Sequence, residues 1–163
     1  MSPQDKSRLA TILRLLALTG LYLLGGWLGK KASFLSGNVA LVWPSSGIAL
    51  AAILLFGYRY WPGIALGAVL FATISGQPFG YFTLGITAGN TIGAVLCVFL
   101  LKRFVNFDNA MLRTRDAAGF ILLACMLGTT VNALFTVVGQ VYAKKITEDA
   151  LFSNFLALSL IHI

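Results

Sequence analysis

Charge is the scarcest commodity in this chain. Only 10 % of its 163 residues are charged, where soluble domains carry about 25 %, so a water-facing surface could not be covered. Disorder is excluded for the opposite reason, since it requires low hydrophobicity with high charge, and 58 % of this chain is apolar. Histidine occurs once, as His162, and carboxylates are confined to Asp5, Asp108, Asp116, Glu148 and Asp149. These five fall in expected loops or at the ends of apolar runs, so no acid–base pair and no proton path at mid-membrane is read. Cys97 and Cys125 are far apart and lack C-x-x-C spacing, which leaves them as small buried hydrophobes. No cofactor, no metal site and no catalytic residue is read from the chain, and it is not expected to be an enzyme.

What is present is long uncharged sequence. Residues 32–58, 60–101 and 117–143 contain no charge, and about 20 apolar residues suffice to cross ~30 Å of hydrocarbon. The run 60–101 holds two helices around the turn Gly76-Gln77-Pro78-Phe79-Gly80. Spans are placed at 9–29, 39–57, 61–75, 81–101 and 117–140, with a sixth starting near Ala150. Lipid offers no partner to an unpaired strand edge, so every span is read as a helix. The expected fold is all-α: a polytopic transmembrane bundle of five complete spans and a truncated sixth. The first span lacks the small-residue cleavage site of a secretory signal and is read as uncleaved.

Lys and Arg in the loops set the orientation. With the N-terminus inside, Lys6, Arg8, Arg14, Arg59, Lys102, Arg103, Arg113 and Arg115 are cytoplasmic, against Lys30, Lys31, Lys144 and Lys145 outside. The eight-to-four split places the N-terminus in the cytoplasm and explains the net charge of +7. The basic residues are dispersed and form no single face, so nucleic acid is not an expected partner.

Within the spans, Gly85-x3-Gly89-x3-Gly93, continued by Cys97, forms a small-residue stripe that lets helix backbones approach closely. Gly25 with Gly29, and Gly63 with Gly67, repeat the spacing. Packing inside the bundle is the first reading of the stripe, and a homodimer the second. Thr83, Thr87, Asn90, Thr91 and Ala94 fall on a face distinct from it. On the fifth span Gly128, Asn132, Thr136 and Gln140 recur every fourth residue and share a face. Such faces point into the bundle, as interhelical hydrogen bonds or, for Asn90 and Asn132 together, as a polar ligand cavity.

The densest pattern is Trp43-Pro44-Ser45-Ser46-Gly47-Ile48-Ala49-Leu50 followed by Gly57-Tyr58-Arg59-Tyr60-Trp61-Pro62-Gly63. Pro in a first helical turn sacrifices no hydrogen bond, and Trp suits the headgroup interface. The link around Arg59 is read as a tight cytoplasmic hairpin with aromatic rings flanking a snorkelling guanidinium. These residues, with Gly67-Ala68, Gly89-Asn90-Thr91, Leu100-Leu101-Lys102-Arg103-Phe104 and Arg115-Asp116, resemble the membrane-associated sensor domains of the first type, the MASE family, over about residues 10–145. Gly93 departs from the family pattern, where an acidic residue is common, as does Ala72-Thr73, where Asn is common.

The resemblance implies a sensory input module of a bacterial inner-membrane receptor, followed by a cytoplasmic output domain such as a histidine kinase of a two-component system or a cyclic-di-GMP enzyme. It implies Trp43, Pro44, Arg59, Trp61, Asn90 and Asn132 as ligand or signal-coupling candidates, with the lipid bilayer and the output domain as partners. A fragment of a transporter or permease is the alternative. The last residues, 158–163, are similar to a translated sequencing adapter, which would leave 1–157 as an incomplete sensor domain and make His162 foreign.

Overall fold

The computed structural model describes residues 3–35, 43–147 and 150–161, so His162, Glu148, Asp149 and the residues just before Trp43 lie outside the described residues. Every regular element among the described residues is helical: α1 (Pro3–Leu35), α2 (Pro44–Phe56), α3 (Trp61–Ile74), α4 (Tyr81–Leu100), α5 (Thr114–Gly119), α6 (Gly128–Tyr142) and α7 (Leu151–Ile161). A π-helical turn, Leu101–Val105, prolongs α4 and ends at left-handed Asn106 (φ 51°). A second π segment, Phe120–Leu127, joins α5 to α6 as one rod.

Three helical runs are long and apolar enough to cross a membrane: Gln4–Ala32, Tyr81–Val105 and Thr114–Tyr142. The expected five complete spans are therefore not all of spanning length. With 13 and 14 residues, α2 and α3 are about 20 Å long at 1.5 Å per residue. The reason is backbone conformation, to which hydropathy is blind. Gly57 takes φ 91° and stops α2, and Gly76 at φ 84° turns the chain just after α3, each a conformation that side chains with a Cβ avoid. The turn expected at Gly76–Gly80 lies there, closed by Gln77 N–H donating to the Ala72 carbonyl at 3.0 Å.

The helices stack in layers: α1 against α2 and α3, these against α4, α4 against α6, and α6 against α7. Their directions follow from named contacts. Trp43 and Pro44, at the start of α2, sit at Gly29, whereas Tyr60, just after α2, meets Arg14, so α2 runs antiparallel to α1. The α3 glycines then climb α1 in parallel, Gly63 at Leu15 and Gly67 at Tyr22. The α6 helix descends α4, Gly128 at Cys97 and Gly139 at Gly85.

The interior mixes small residues, among them Ala49, Ala52, Ala68, Ala94 and Ala133, with Leu18, Tyr22, Ile53, Ile64, Val98 and Leu101, while Leu13, Leu16, Leu21, Leu55, Phe99, Ile121 and Leu122 lie exposed. A water-soluble domain buries its large apolar side chains. Here many of them also clothe the outside, as a hydrocarbon solvent permits, and small residues let the helices approach closely.

Candidate functional site

The tightest seam in the bundle is α4 against α6, and glycine makes it possible. A Cβ on Gly85 would stand 2.6 Å from the Phe135 carbonyl oxygen and 2.9 Å from the Gly139 Cα. One on Gly89 would stand 2.5 Å from Asn132 Oδ1 and 2.9 Å from the Asn132 carbonyl oxygen. Gly93 is looser, at 3.2 Å from the Gly128 carbonyl oxygen, yet an acidic side chain at this position would be pressed against that oxygen. The stripe is thus filled within the chain by α6. Cys97 ends it, buried, with its thiol donating to the Leu123 carbonyl at 3.2 Å. The side chain of Cys125 lies outside the described residues.

Beside this seam the two asparagines meet. Asn132 Nδ2 donates to Asn90 Oδ1 at 3.4 Å, and Thr136 Oγ1 donates to Asn132 Oδ1 at 3.5 Å. Asn90 Nδ2 donates at 2.9 Å to the Ile86 carbonyl of its own helix. The single interhelical link, Asn132 to Asn90, is long, Thr136 reaches Asn132 along α6 at the same loose length, and the Asn90–Ile86 bond within α4 is of ordinary length, so the two helices share a loose polar contact. Asn132 and Thr136 are buried and Asn90 is half-buried. The polar face expected on α4 does not stay together. Thr87 bonds back to the Thr83 carbonyl, Thr83 to the Pro78 carbonyl, and Thr91 turns toward the other side of α4 with its buried hydroxyl unbonded. Gln140 on α6 likewise has a buried Oε1 without a partner.

The Trp-Pro segment docks on α1. Pro44 occupies the first turn of α2, and Ser45, fully buried, donates to the Tyr22 carbonyl at 2.9 Å. Gly25 and Gly29 form the notch that receives it: a Cβ on Gly25 would lie 3.0 Å from Ser45 N, and one on Gly29 2.9 Å from the Trp43 ring. Trp43 stacks edge-on against Phe71 with centroids 5.7 Å apart. It is an inter-helix wedge, half-buried, more than an interfacial float.

The second Trp-Pro opens α3, with Trp61 half exposed. In the preceding turn Tyr60 corrects the picture of rings flanking a snorkelling cation, because it is buried at 1 % exposure. Its phenol oxygen accepts from Arg59 at 3.1 Å and from Arg14 on α1 at 3.5 Å. These two donors, Arg14 first and then Arg59, hold the phenol below the usual tyrosine range against the opposing effect of burial. Tyr58 remains exposed, under the Lys102 ammonium at 5.5 Å from its ring centroid. Hairpin, α1 and the end of α4 thus gather three cations at one end of the bundle. At the other end Lys145 bonds Gln77 and lies 3.9 Å from the Phe82 ring centroid.

One buried group escaped the sequence reading. Asp116, expected among the loop carboxylates, is 0 % exposed in the first turn of α5, and neither carboxylate oxygen has a hydrogen-bond partner. The sequence signal was its position only one residue before the uncharged run 117–143.

Comparison with protein-family models gives a match to MASE1 over residues 13–163. The chain belongs to the MASE1 family. MASE1 domains are membrane-associated sensory domains, in keeping with the many large apolar side chains exposed on the outside of the bundle. Comparison with curated proteins and with solved structures finds no match. Within the MASE1 chain the Trp43–Leu50 and Trp61–Gly63 segments serve helix docking, and the Asn90–Asn132 contact is the polar feature that joins two long helices.

Proposed function

We propose that this MASE1 chain is the sensory input module of a bacterial inner-membrane receptor, and that Asn90 and Asn132 couple a ligand or partner signal to a cytoplasmic output domain. The observation that carries the reading is the interhelical Asn132–Asn90 contact at 3.4 Å, set beside a glycine seam in a domain of a sensory family. Asn both donates and accepts, so a pair held at this length can exchange its partner for a ligand or for another helix carbonyl. Signalling requires two bundle arrangements that the signal binds unequally, and a seam of glycines flanked by a loose polar contact supports a shift between them. The topology we propose is N-terminus inside, with α2 and α3 crossing as short spans. It is supported by the gathering of Arg14, Arg59 and Lys102 at one end of the bundle. Asp116 is the observation that would favour transport, but it stands in the first turn of its rod and no second buried charge extends a path from it among the described residues.

The test compares Asn90→Ala and Asn132→Ala with wild type in the complete natural receptor, measuring output activity and protein level in the membrane. Loss of signal response at normal protein level is the expected result. Loss of protein together with signal would reduce both residues to holding the bundle together.

A further inference from the structure

At the end of the bundle that holds the Tyr58–Tyr60 turn, a groove of about 640 Å³ opens between that turn and α4, lined by Tyr58, Trp61, Thr91, Val95, Leu96 and Phe99. Its volume is that of a small-molecule site, and its wall is apolar. From Phe99 to Thr91 it follows α4 for roughly 12 Å at 1.5 Å per residue. Phe99 and Trp61 stand half exposed on its rim. A cation stands at its Phe99 end, and two more lie on the neighbouring turn. Lys102, three residues beyond Phe99, lies over the ring of Tyr58, itself part of the wall. Arg59 follows Tyr58 directly, and Arg14 and Arg59 both donate to the Tyr60 phenol oxygen.

Two guanidinium groups directed at one neutral oxygen repel each other, and no salt bridge to an acid among the described residues relieves them. The ion pair found among the described residues joins Arg113 to Asp108 at 4.0 Å and involves none of these three cations. Arg14, Arg59 and Lys102 are all exposed at the surface. The cluster therefore offers an anion what a phosphate needs, while the groove that runs from it offers an apolar chain a bed.

We propose that this groove and the cations beside it form a binding site for one anionic phospholipid, the acyl chain lying along α4 from Phe99 toward Thr91 and the phosphate held by Lys102, with exposed Arg59 of the adjoining turn as the second cation. Basic pockets between membrane helices recognise acidic headgroups in this way. The continuity of charge and groove selects a lipid over a free anion, since a free phosphate would use the cations and ignore the wall. The proposal concerns a lipid bound to the domain and is independent of the signal-coupling role of Asn90 and Asn132.

The experiment uses the full chain purified in mild detergent and equilibrated with equal amounts of phosphatidylglycerol and phosphatidylcholine of identical acyl chains, with retained lipid read by native mass spectrometry. Wild type should retain phosphatidylglycerol preferentially. Lys102→Gln should cut that preference about fivefold, the effect of one cation near an anionic headgroup. Lys102 is exposed and contacts Tyr58 from outside, so this variant should keep wild-type helicity. Val95→Trp, which fills the groove, and Phe99→Ala, which removes its exposed rim, should lower retention of phosphatidylglycerol. The second of these keeps the groove test decisive if the first does not fold. Equal retention of the two lipids, or a preference untouched by Lys102→Gln, would overturn the proposal. Retention unchanged in Phe99→Ala, with inorganic phosphate displacing the lipid, would show a free-anion site and overturn it as well.

Discussion

At Gly89 the two longest-packed helices leave no room for a methyl group, because the Asn132 carbonyl oxygen and side-chain oxygen would both lie inside contact distance of a Cβ. Gly89→Leu should therefore force α4 and α6 apart, at a cost of about 1–3 kcal/mol from overpacking, visible as a lowered thermal unfolding midpoint by circular dichroism in detergent. An unchanged midpoint would mean that this face of α4 does not carry the crossing. The stripe itself is readable from sequence, since spacing by four puts Gly85, Gly89 and Gly93 on one face. Its partner is not. Periodicity assigns Asn90 to a face but cannot say that Asn132, 42 residues onward, will stand opposite it. Tyr60 and Asp116 show the same limit. Both lie at the ends of apolar runs, where an aromatic ring or a carboxylate ordinarily meets the interface, and only the packing of α1 on the hairpin or of α5 on the π-turn of α4 encloses them.

The elements most legible in advance were those that lipid chemistry punctuates. Charges bound the α5–α6 rod and the C-terminal end of α4, the Gly76–Gly80 turn precedes α4, and Pro44 and Pro62 mark the first turns of α2 and α3. The lengths of α2 and α3 were less legible, because Gly57 and Gly76 act through backbone dihedrals that leave hydropathy unchanged. The two π segments, Leu101–Val105 and Phe120–Leu127, had no signal in composition at all. For the α2–α3 hairpin the structure puts Arg59 at an exposed turn with its guanidinium 5.1 Å from the Tyr60 ring centroid. A single cysteine at this position, Arg59→Cys, should react with a membrane-impermeant maleimide added from the cytoplasmic side and stay unlabelled from the periplasm. Periplasmic labelling would invert the hairpin and with it the N-inside orientation.

For the molecule as a whole, alternating helix directions place Phe79 and Asn109 at opposite ends of α4. Topology reporters fused after Phe79 should report periplasm, and after Asn109 cytoplasm, if α2 and α3 cross despite their length. A cytoplasmic signal from both fusions would mean that the short pair does not carry the chain through the bilayer. The layering also gives α4 a particular place, since it packs on α2 and α3 on one side and on α6 on the other. A change entering through α1 therefore reaches α6 most directly by way of α4.

The glycine seam has a thermodynamic character of its own. Burying a long side chain such as Met or Lys freezes rotamers worth up to about 2 kcal/mol, whereas Gly and Ala have none to freeze. Along Gly85, Gly89, Gly93, Gly128 and Gly139 the two helices meet largely backbone to backbone, so little side-chain entropy is lost when they close and little is recovered when they part. Opening such a seam is opposed chiefly by lost dispersion contacts, a short-range enthalpy of which about a quarter to a half is forfeited over the first ångström. A bundle joined in this manner loses much of its cohesion over a small separation, the mechanical character that the proposed two-state signalling asks of it.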